Sequence, residues 1–509
     1  MKTDDNLKID IGQHFITGFH GTSMTDAFIQ SVREYKIGNV ILFADNIASR
    51  NQLQALIAEI NTLILKETGT LPFIAVDQEG GMVTRLSNDF TNVPGALAIA
   101  STGRPENLVA CIEATVKELS SVGINCNLAP VLDVNSNRNN PVIGIRSFAE
   151  DPAEAAKWGE LATTTYGKLG FLCAGKHFPG HGDTSQDSHL TLPCVNKSYE
   201  ELEQCELIPF KKAIEAGIPA IMTSHIRYPQ IEPDHIPATM SKKIITGLLK
   251  EQLGFKGLVL SDCMEMQAIS RYYGSVEGSA AAIAAGIDLV FISHHPLLAA
   301  EAAEGIVHAL ESGKIDRQQY ETSSAKIRSF KERYVHLRQD GPLLSNEEKE
   351  KIAQIRKATL TVSKGRLPET GNKPLFIAPD LFRATNVSNA ENSLSFARTL
   401  QGKLGGNALV IPPDPTETEI NAIINSIEKM PAPSSLWIGS YNAHVFTGQL
   451  KLYEQLCKRI EAKKTLLVLR NTNDGYLLGD NFDCLIYAYE YTGPMLDILS
   501  DFIGRHKED

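Results

Sequence analysis

Short apolar runs rich in β-branched and aromatic residues recur along the chain, each giving way to polar residues and then to a segment with apolar positions three and four apart. The runs at 15–19, 40–43, 73–77, 125–131, 171–176, 220–224, 257–261 and 288–292 predict eight strands. The stretches at 50–65, 106–122, 153–169, 202–216 and 242–253 carry the period of amphipathic helices. Eight strands alternating with helices over about 330 residues predict a (β/α)8 barrel of the TIM type, enlarged by long βα loops.

Residues 310–356 are charged and helical in pattern, with a break at Gly341-Pro342. A second alternation follows, with strands near 375–378, 408–411, 436–439, 466–469 and 485–487. It predicts a smaller, parallel, doubly wound α/β/α sandwich. The expected organisation is a barrel over 1–335, a helical connector over 336–370 and a sandwich of unassigned role over 371–509.

Composition narrows the function classes. Of 509 residues, 43% are hydrophobic and 21% charged, as in soluble globular chains. No run approaches the roughly 18–20 apolar residues of a membrane span, and Met1-Lys2-Thr3-Asp4-Asp5-Asn6 has no signal-peptide character, so a cytoplasmic protein is expected. The eight cysteines are scattered without a C-x-x-C pair, which fits reduced thiols used for packing. A net charge of −11 argues against a nucleic-acid partner.

In a barrel of this type the active site lies at the C-terminal ends of the strands. Strand three ends in Asp77-Gln78-Glu79-Gly80-Gly81, followed by Arg85. Strand four leads to Asp133 and then to Gly144-Ile145-Arg146-Ser147-Phe148. Strand six ends at Thr223-Ser224-His225, and strand seven at Ser261-Asp262-Cys263. Strand five runs into Lys176-His177-Phe178-Pro179-Gly180-His181-Gly182-Asp183-Thr184-Ser185-Gln186-Asp187-Ser188-His189. That stretch holds three histidines, two aspartates and a lysine. Burying so many polar groups without partners costs several kcal/mol each, so it is expected as a polar functional loop and not as core.

A rim of acids and donors, without a cofactor fingerprint or a phosphate-cradling loop, suits a neutral polyhydroxylated ligand such as a small carbohydrate, and no cofactor is expected. Glycosidic cleavage needs one group to protonate the leaving oxygen and another to stabilise or trap the oxocarbenium-like centre. Asp262 fits the nucleophile, and His189 the acid/base with Asp187 orienting its imidazole. Simpler readings stand beside these. Asp262, with Ser261 before it and Glu265 after it, matches a helix N-cap. His177, His181, Asp183, Asp187 and His189 could ligate a metal, but ligands confined to one loop lack a rigid frame, and no metal is expected. His181 and Asp183 read as fixing the loop turn, Asp133 and Glu79 as bracing the rim, and His225 as a satisfied histidine behind the site.

The runs Ala75-Val76-Asp77-Gln78-Glu79-Gly80-Gly81, Gly144–Phe148, Lys176–His189 and Leu260-Ser261-Asp262 with Met266 resemble those of the family 3 glycoside hydrolases, and within them the β-N-acetylglucosaminidases that trim peptidoglycan fragments. The resemblance implies a retaining double displacement without a metal. Asp262 would be the nucleophile and His189, paired with Asp187, a mobile acid/base. Asp77, Arg85, Arg146, Lys176 and His177 would bind the terminal N-acetylglucosamine. Met82 departs from an arginine frequent in these enzymes, and Cys263 from a small or acidic residue. A phosphorylase on the same scaffold and a non-catalytic carbohydrate-binding protein are the alternatives. Gly180 and Gly182 are expected to let residues 187–189 swing over the sugar.

Overall fold

The computed structural model describes residues 4–184, 192–336, 342–382 and 394–505. Eight parallel strands close into a barrel: β1 (Phe15–Thr17), β2 (Asn39–Leu42), β3 (Ile74–Val76), β4 (Cys126–Asn127), β5 (Leu172–Phe178), β6 (Ala220–Thr223), β7 (Leu258–Cys263) and β8 (Leu289–Ile292). Each strand pairs with the next, and β1 closes on β8 with Phe15 opposite Val290 and Thr17 opposite Ile292. The expected barrel is therefore present. Alternate strand residues, among them Ile16, Ile41, Leu172, Leu258 and Phe291, fill its interior as one apolar cluster. This is the period-two rule of strands applied to a closed sheet.

The helices form where caps and apolar periodicity coincide. Ser49 accepts a hydrogen bond from Gln52 N to open Arg50–Thr68, whose buried face is Leu53, Leu56, Ile57, Ile60 and Ile64. Asp151 accepts from Ala153 N and Glu154 N ahead of Pro152–Lys168. The single helix expected over 202–216 is instead two, Tyr199–Glu203 and Leu207–Glu215. The break lets Glu206 turn inward, where its carboxylate is 1% exposed and meets Lys197 Nζ at 2.5 Å.

Two strands depart from regular pairing at their C-terminal ends. Register slips between Gly175 and Phe178 on β5 against β6, and between Leu260 and Cys263 on β7 against β8. Lys176-His177 and Ser261-Asp262 occupy these irregularities. Ser261 closes the second gap by accepting Phe291 N at 2.9 Å. Such bulges bend the strand and re-aim its side chains.

The second sheet has the order β11-β10-β12-β13-β14-β9, comprising β9 (Thr361–Lys364), β10 (Pro374–Pro379), β11 (Asn407–Ile411), β12 (Ser435–Ser440), β13 (Lys463–Val468) and β14 (Cys484–Tyr487). Five strands are parallel, as the sequence predicts. The sixth, β9, pairs antiparallel with β14 at the sheet edge and falls inside the stretch expected as connector. Its residues Thr361-Val362-Ser363-Lys364 are half-exposed or exposed, so they lack the apolar run that marks the other strands.

The two parts share side chains. Met82, Ala98 and Ile145, from barrel loops, belong to the apolar core of the second sheet. Met82 is 3% exposed and its Sδ accepts Tyr491 N at 3.1 Å, which accounts for an apolar residue at this position. Arg356 spans the junction, reaching Glu490 at 3.3 Å and Asn92 O at 2.6 Å. Among the described residues no helix is long and apolar enough to cross a membrane.

The barrel's interior cluster extends to the helix Arg317–Tyr334, which contributes Ile327 at 0% exposure with Phe330 and Tyr334 packed against it. Ile327→Ala should therefore leave a cavity at the barrel and cost about 2–5 kcal/mol, read as a lowered midpoint in urea unfolding. An unchanged midpoint would show that this helix does not support the barrel.

Candidate active site

The sequence-predicted side chains gather at the mouth of the barrel. Glu79, just past β3, receives Arg146 Nε and Nη2 at 2.8 Å each and Lys176 Nζ at 2.7 Å. Lys176 also donates to Asp77 Oδ1 at 2.7 Å, and Arg85 Nη2 lies 3.7 Å from Asp77 Oδ2. Lys176, Arg146 and Glu79 have side chains only 2%, 5% and 7% exposed, whereas Asp77 is 18% exposed and borders the opening. Burial alone would raise the Glu79 carboxyl. The charges of Arg146 and Lys176 and the hydrogen bonds from both outweigh it and leave the carboxyl well below its ordinary 4.5. Burial likewise opposes the charge on Lys176, but Asp77 and Glu79 overcome it and raise its pKa.

A second buried carboxylate organises the start of the loop. Asp133 accepts His177 Nδ1 at 2.7 Å, His177 N at 3.2 Å and His181 N at 2.6 Å. Bonding to a carboxylate puts a proton on Nδ1 of His177 and fixes the ring's orientation. Asp133 is fully buried, and its pKa falls below 3.8 because His177 and His181 offset the burial. His181 Nδ1 meets Thr184 Oγ1 at 2.9 Å, and Asp183 pairs with Lys197 at 3.0 Å. Burial, then the neighbouring His177, push His181 down to about 4, so its ring is neutral at pH 7.

The expectation that residues 176–184 stay out of the core is therefore wrong. Lys176, His177, His181 and Thr184 are all buried. The cost argument assumed no partners, and Asp77, Glu79 and Asp133 supply them. Gly180 and Gly182 are not free pivots either. Gly180 has φ +144°, a Cβ there would lie 2.6 Å from Glu206 Cβ, and Tyr228 Oη donates to its carbonyl. A Cβ on Gly182 would lie 1.5 Å from Val134 O. Both glycines allow close backbone approach. Asp187 and His189 lie outside the described residues.

On the opposite side of the barrel, four strands from β3, Asp262 stands in the β7 irregularity, half-buried, with its Oδ1 accepting Cys263 N at 2.7 Å. The capping reading fails, because the helix after it begins at Gln267 with Met266 as its N-cap and no side-chain cap. His225 braces the position from β6: its Nδ1 meets Thr239 Oγ1 and its Nε2 donates to Cys263 O, both at 2.9 Å. The Cys263 thiol, pushed up to about 12 by burial, lies 3.6 Å from Glu265 Oε2. The mouth thus holds a fixed set of donors and carboxylates on β3–β5 and a partly exposed carboxylate across from it. That arrangement can hold a hydroxylated ligand and present an oxygen nucleophile to it.

The model of the glycosyl hydrolase family 3 N-terminal domain matches residues 7–330. The chain belongs to glycosyl hydrolase family 3. The beta-hexosaminidase A of Pseudoalteromonas piscicida is 35% identical over 335 residues, which cover 61% of this chain and 56% of that protein. A beta-hexosaminidase of Chromobacterium violaceum is 35% identical over 296 residues, 57% of this chain and 80% of that one. The solved family 3 beta-N-acetylglucosaminidase from Paenibacillus sp. str. FPU-7 superposes with a TM-score of 0.88 at 33% identity, covering 98% of this chain and 97% of its own. That coverage takes in the second sheet as well as the family 3 barrel.

Glu79 and Asp133, expected to brace the rim, are the centres on which Lys176, Arg146, His177 and His181 converge. The signal available was their place directly after strands. It missed the second sheet's approach to the site: Asn471 packs so closely on Gly144 that a Cβ there would lie 2.9 Å from its Nδ2. His444, held by Asp474 at 3.0 Å, lies 3.3 Å from the same Asn471 Nδ2.

These pairs set the acid limb of stability. His181 is held neutral, so its contribution is full above its ordinary 6.5 and is lost as pH falls toward 4. Glu79 is held ionised, so its contribution is present above 4.5 and is lost below it. Calorimetry from pH 7.5 to 4 should show a falling Tm that begins below about 6.5, with His181→Asn flattening the upper part of that limb. Glu79→Gln should cost about 3–5 kcal/mol at pH 7, because it leaves two buried cations short of a partner; wild-type unfolding midpoints would refute that role.

Proposed function

We propose that this family 3 enzyme is a retaining exo-β-N-acetylglucosaminidase that hydrolyses terminal non-reducing N-acetyl-β-D-glucosamine from peptidoglycan fragments or chito-oligosaccharides. The observation that carries the reading is Asp262 at the mouth of β7, across the barrel from the fixed Asp77–Lys176–Glu79–Arg146 set. The likeness to beta-hexosaminidases and to a beta-N-acetylglucosaminidase supports the choice of sugar.

In this reading Asp77, Arg85, Lys176, His177 and Arg146 form the sugar site. Asp77 borders the opening, the buried Arg85 stands 3.7 Å behind it, and the buried Arg146 acts on it largely through Glu79. An Asp262 oxygen attacks the anomeric carbon and forms a covalent glycosyl-aspartate as the glycosidic bond breaks. His189, oriented by Asp187, delivers its proton to the departing oxygen and then takes one from the water that hydrolyses the intermediate. A histidine that cycles between imidazolium, as acid, and neutral imidazole, as base, never places a second negative charge near Asp262, whereas a carboxylate would, raising the pKa of either group. No metal enters these steps.

Assays with p-nitrophenyl N-acetyl-β-glucosaminide, with and without phosphate, separate hydrolysis from phosphorolysis, since N-acetylglucosamine 1-phosphate appears only if phosphate is the acceptor. Release in neither buffer would leave a carbohydrate-binding role. Asp262→Ala should lower kcat by at least about 10³-fold, and mass spectrometry of wild-type enzyme with a slow 5-fluoro N-acetylglucosaminyl substrate should find the added sugar on Asp262. Turnover surviving in Asp262→Ala would rule out this nucleophile. His189→Ala should lose about 10²–10⁴-fold on chitobiose and far less on the p-nitrophenyl glycoside, whose leaving group needs little protonation; equal losses would count against the acid role.

A further inference from the structure

The groups considered so far come from the ends of β3 to β7. The rest of the rim, at the ends of β8, β1 and β2, carries a different set. His294 follows β8 and His20 follows β1, and their rings stack with centroids 5.6 Å apart and planes 7° apart. Phe43, after β2, packs on His294 at 4.6 Å. The three rings form a ledge: the His20 side chain is 70% exposed, and Phe43 and His294 are half-buried.

Two carboxylates frame the ledge. Asp45 accepts His20 Nδ1 at 3.0 Å. Glu265 accepts His294 N at 2.7 Å and pairs with Nδ1 of the exposed His295. Glu265 also lies 3.6 Å from the Cys263 thiol, so the ledge adjoins the residue next to Asp262.

We propose that this ledge is the subsite for the leaving sugar and that it takes a neutral pyranose in preference to one bearing a carboxylate. The inference rests on the reaction proposed at Asp262. With the non-reducing sugar held by the β3–β5 side, the leaving sugar lies toward the β8–β1–β2 side of the mouth. The apolar face of a pyranose packs on aromatic rings, and carboxylates accept its hydroxyls.

The charge pattern selects the ligand. Two imidazoles stacked this closely cannot both ionise cheaply. Burial lowers the His294 pKa, and His20 and His295 add to this against the opposing pull of Glu265 and Asp45. His294 is therefore neutral and aromatic at neutral pH, and Asp45 and Glu265 at the edges of the ledge repel an anionic substituent.

The test compares kcat/KM at pH 7 for N,N′-diacetylchitobiose, for methyl N-acetyl-β-glucosaminide, whose aglycone is too small to reach the ledge, and for a disaccharide whose second sugar carries a lactyl ether carboxylate. Wild-type enzyme should prefer the neutral disaccharide over the carboxylate-bearing one by about tenfold or more. His294→Ala and His20→Ala should each lower the ratio of chitobiose to methyl glycoside kcat/KM by about three- to tenfold, mainly through KM, and His294→Phe should restore most of it. His20→Ala changes an exposed side chain and guards against a folding artefact at His294. A ratio unchanged in both alanine variants, or equal wild-type use of the two disaccharides, overturns the ledge while leaving the hydrolase reading intact. Wild-type enzyme that cleaves none of the three overturns both.

Discussion

A carboxylate buried between cations must be satisfied from every side, and Glu79 is where the mouth of this barrel is tied together. Three charge-assisted hydrogen bonds reach it, from Lys176 on β5 and from the Arg146 guanidinium in the loop after β4. Remove it and two cations lie buried with too few partners, a far larger penalty than the loss of an exposed ion pair. Lys176 in turn holds Asp77, so the position of the most accessible carboxylate on this wall depends on a residue deeper inside. Asp133 repeats the pattern one strand along, clamping His177 and His181. The described part of the polar loop, 176–184, is thereby built into the barrel instead of lying on it.

Both sides of the mouth use irregular strand ends. Lys176-His177 and Ser261-Asp262 sit where β5 and β7 slip register against their neighbours. A regular strand would alternate these side chains between the barrel interior and the helical layer, whereas a bulge frees them from that alternation. Backbone groups left by the slip are covered locally, by Ser261 at Phe291 N and by His225 at Cys263 O. The residues bracing Asp262 are therefore also those that complete the sheet.

The second sheet is coupled to this site by packing. Met82 and Ile145, three residues from Glu79 and one from Arg146, are core residues of the neighbouring unit, and Asn471 abuts Gly144. A rearrangement of that junction would move the Arg146–Glu79 pair. The unit's role thus includes holding the loops that carry the barrel's charged wall. The opposite wall, with its stacked rings and framing carboxylates, is built from different chemistry, which gives the mouth two unlike halves.

The eight strands, the alternation that makes a parallel barrel, and the second α/β unit are legible in the sequence because each depends on local periodicity and chain order. The rim residues Asp77, Lys176, His177 and Asp262 are legible for the same reason, since polar residues at the ends of apolar runs must fall at one end of the barrel, and Arg85 and Arg146 are legible as members of the loops that follow two of those runs. What sequence could not supply was partnership. It could not show that Lys176 and His181 are buried, since burial of a charge is decided by counter-charges up to 99 residues away, as for Lys176 and Asp77. Nor could it show that Gly180 and Gly182 are close contacts, that β9 joins a sheet edge without an apolar run, or that His20, Phe43 and His294 meet on one ledge. Local pattern determines which elements form. Only the closure of the chain on itself decides which polar groups find partners, and that decides which of them can be buried and which remain open to a ligand.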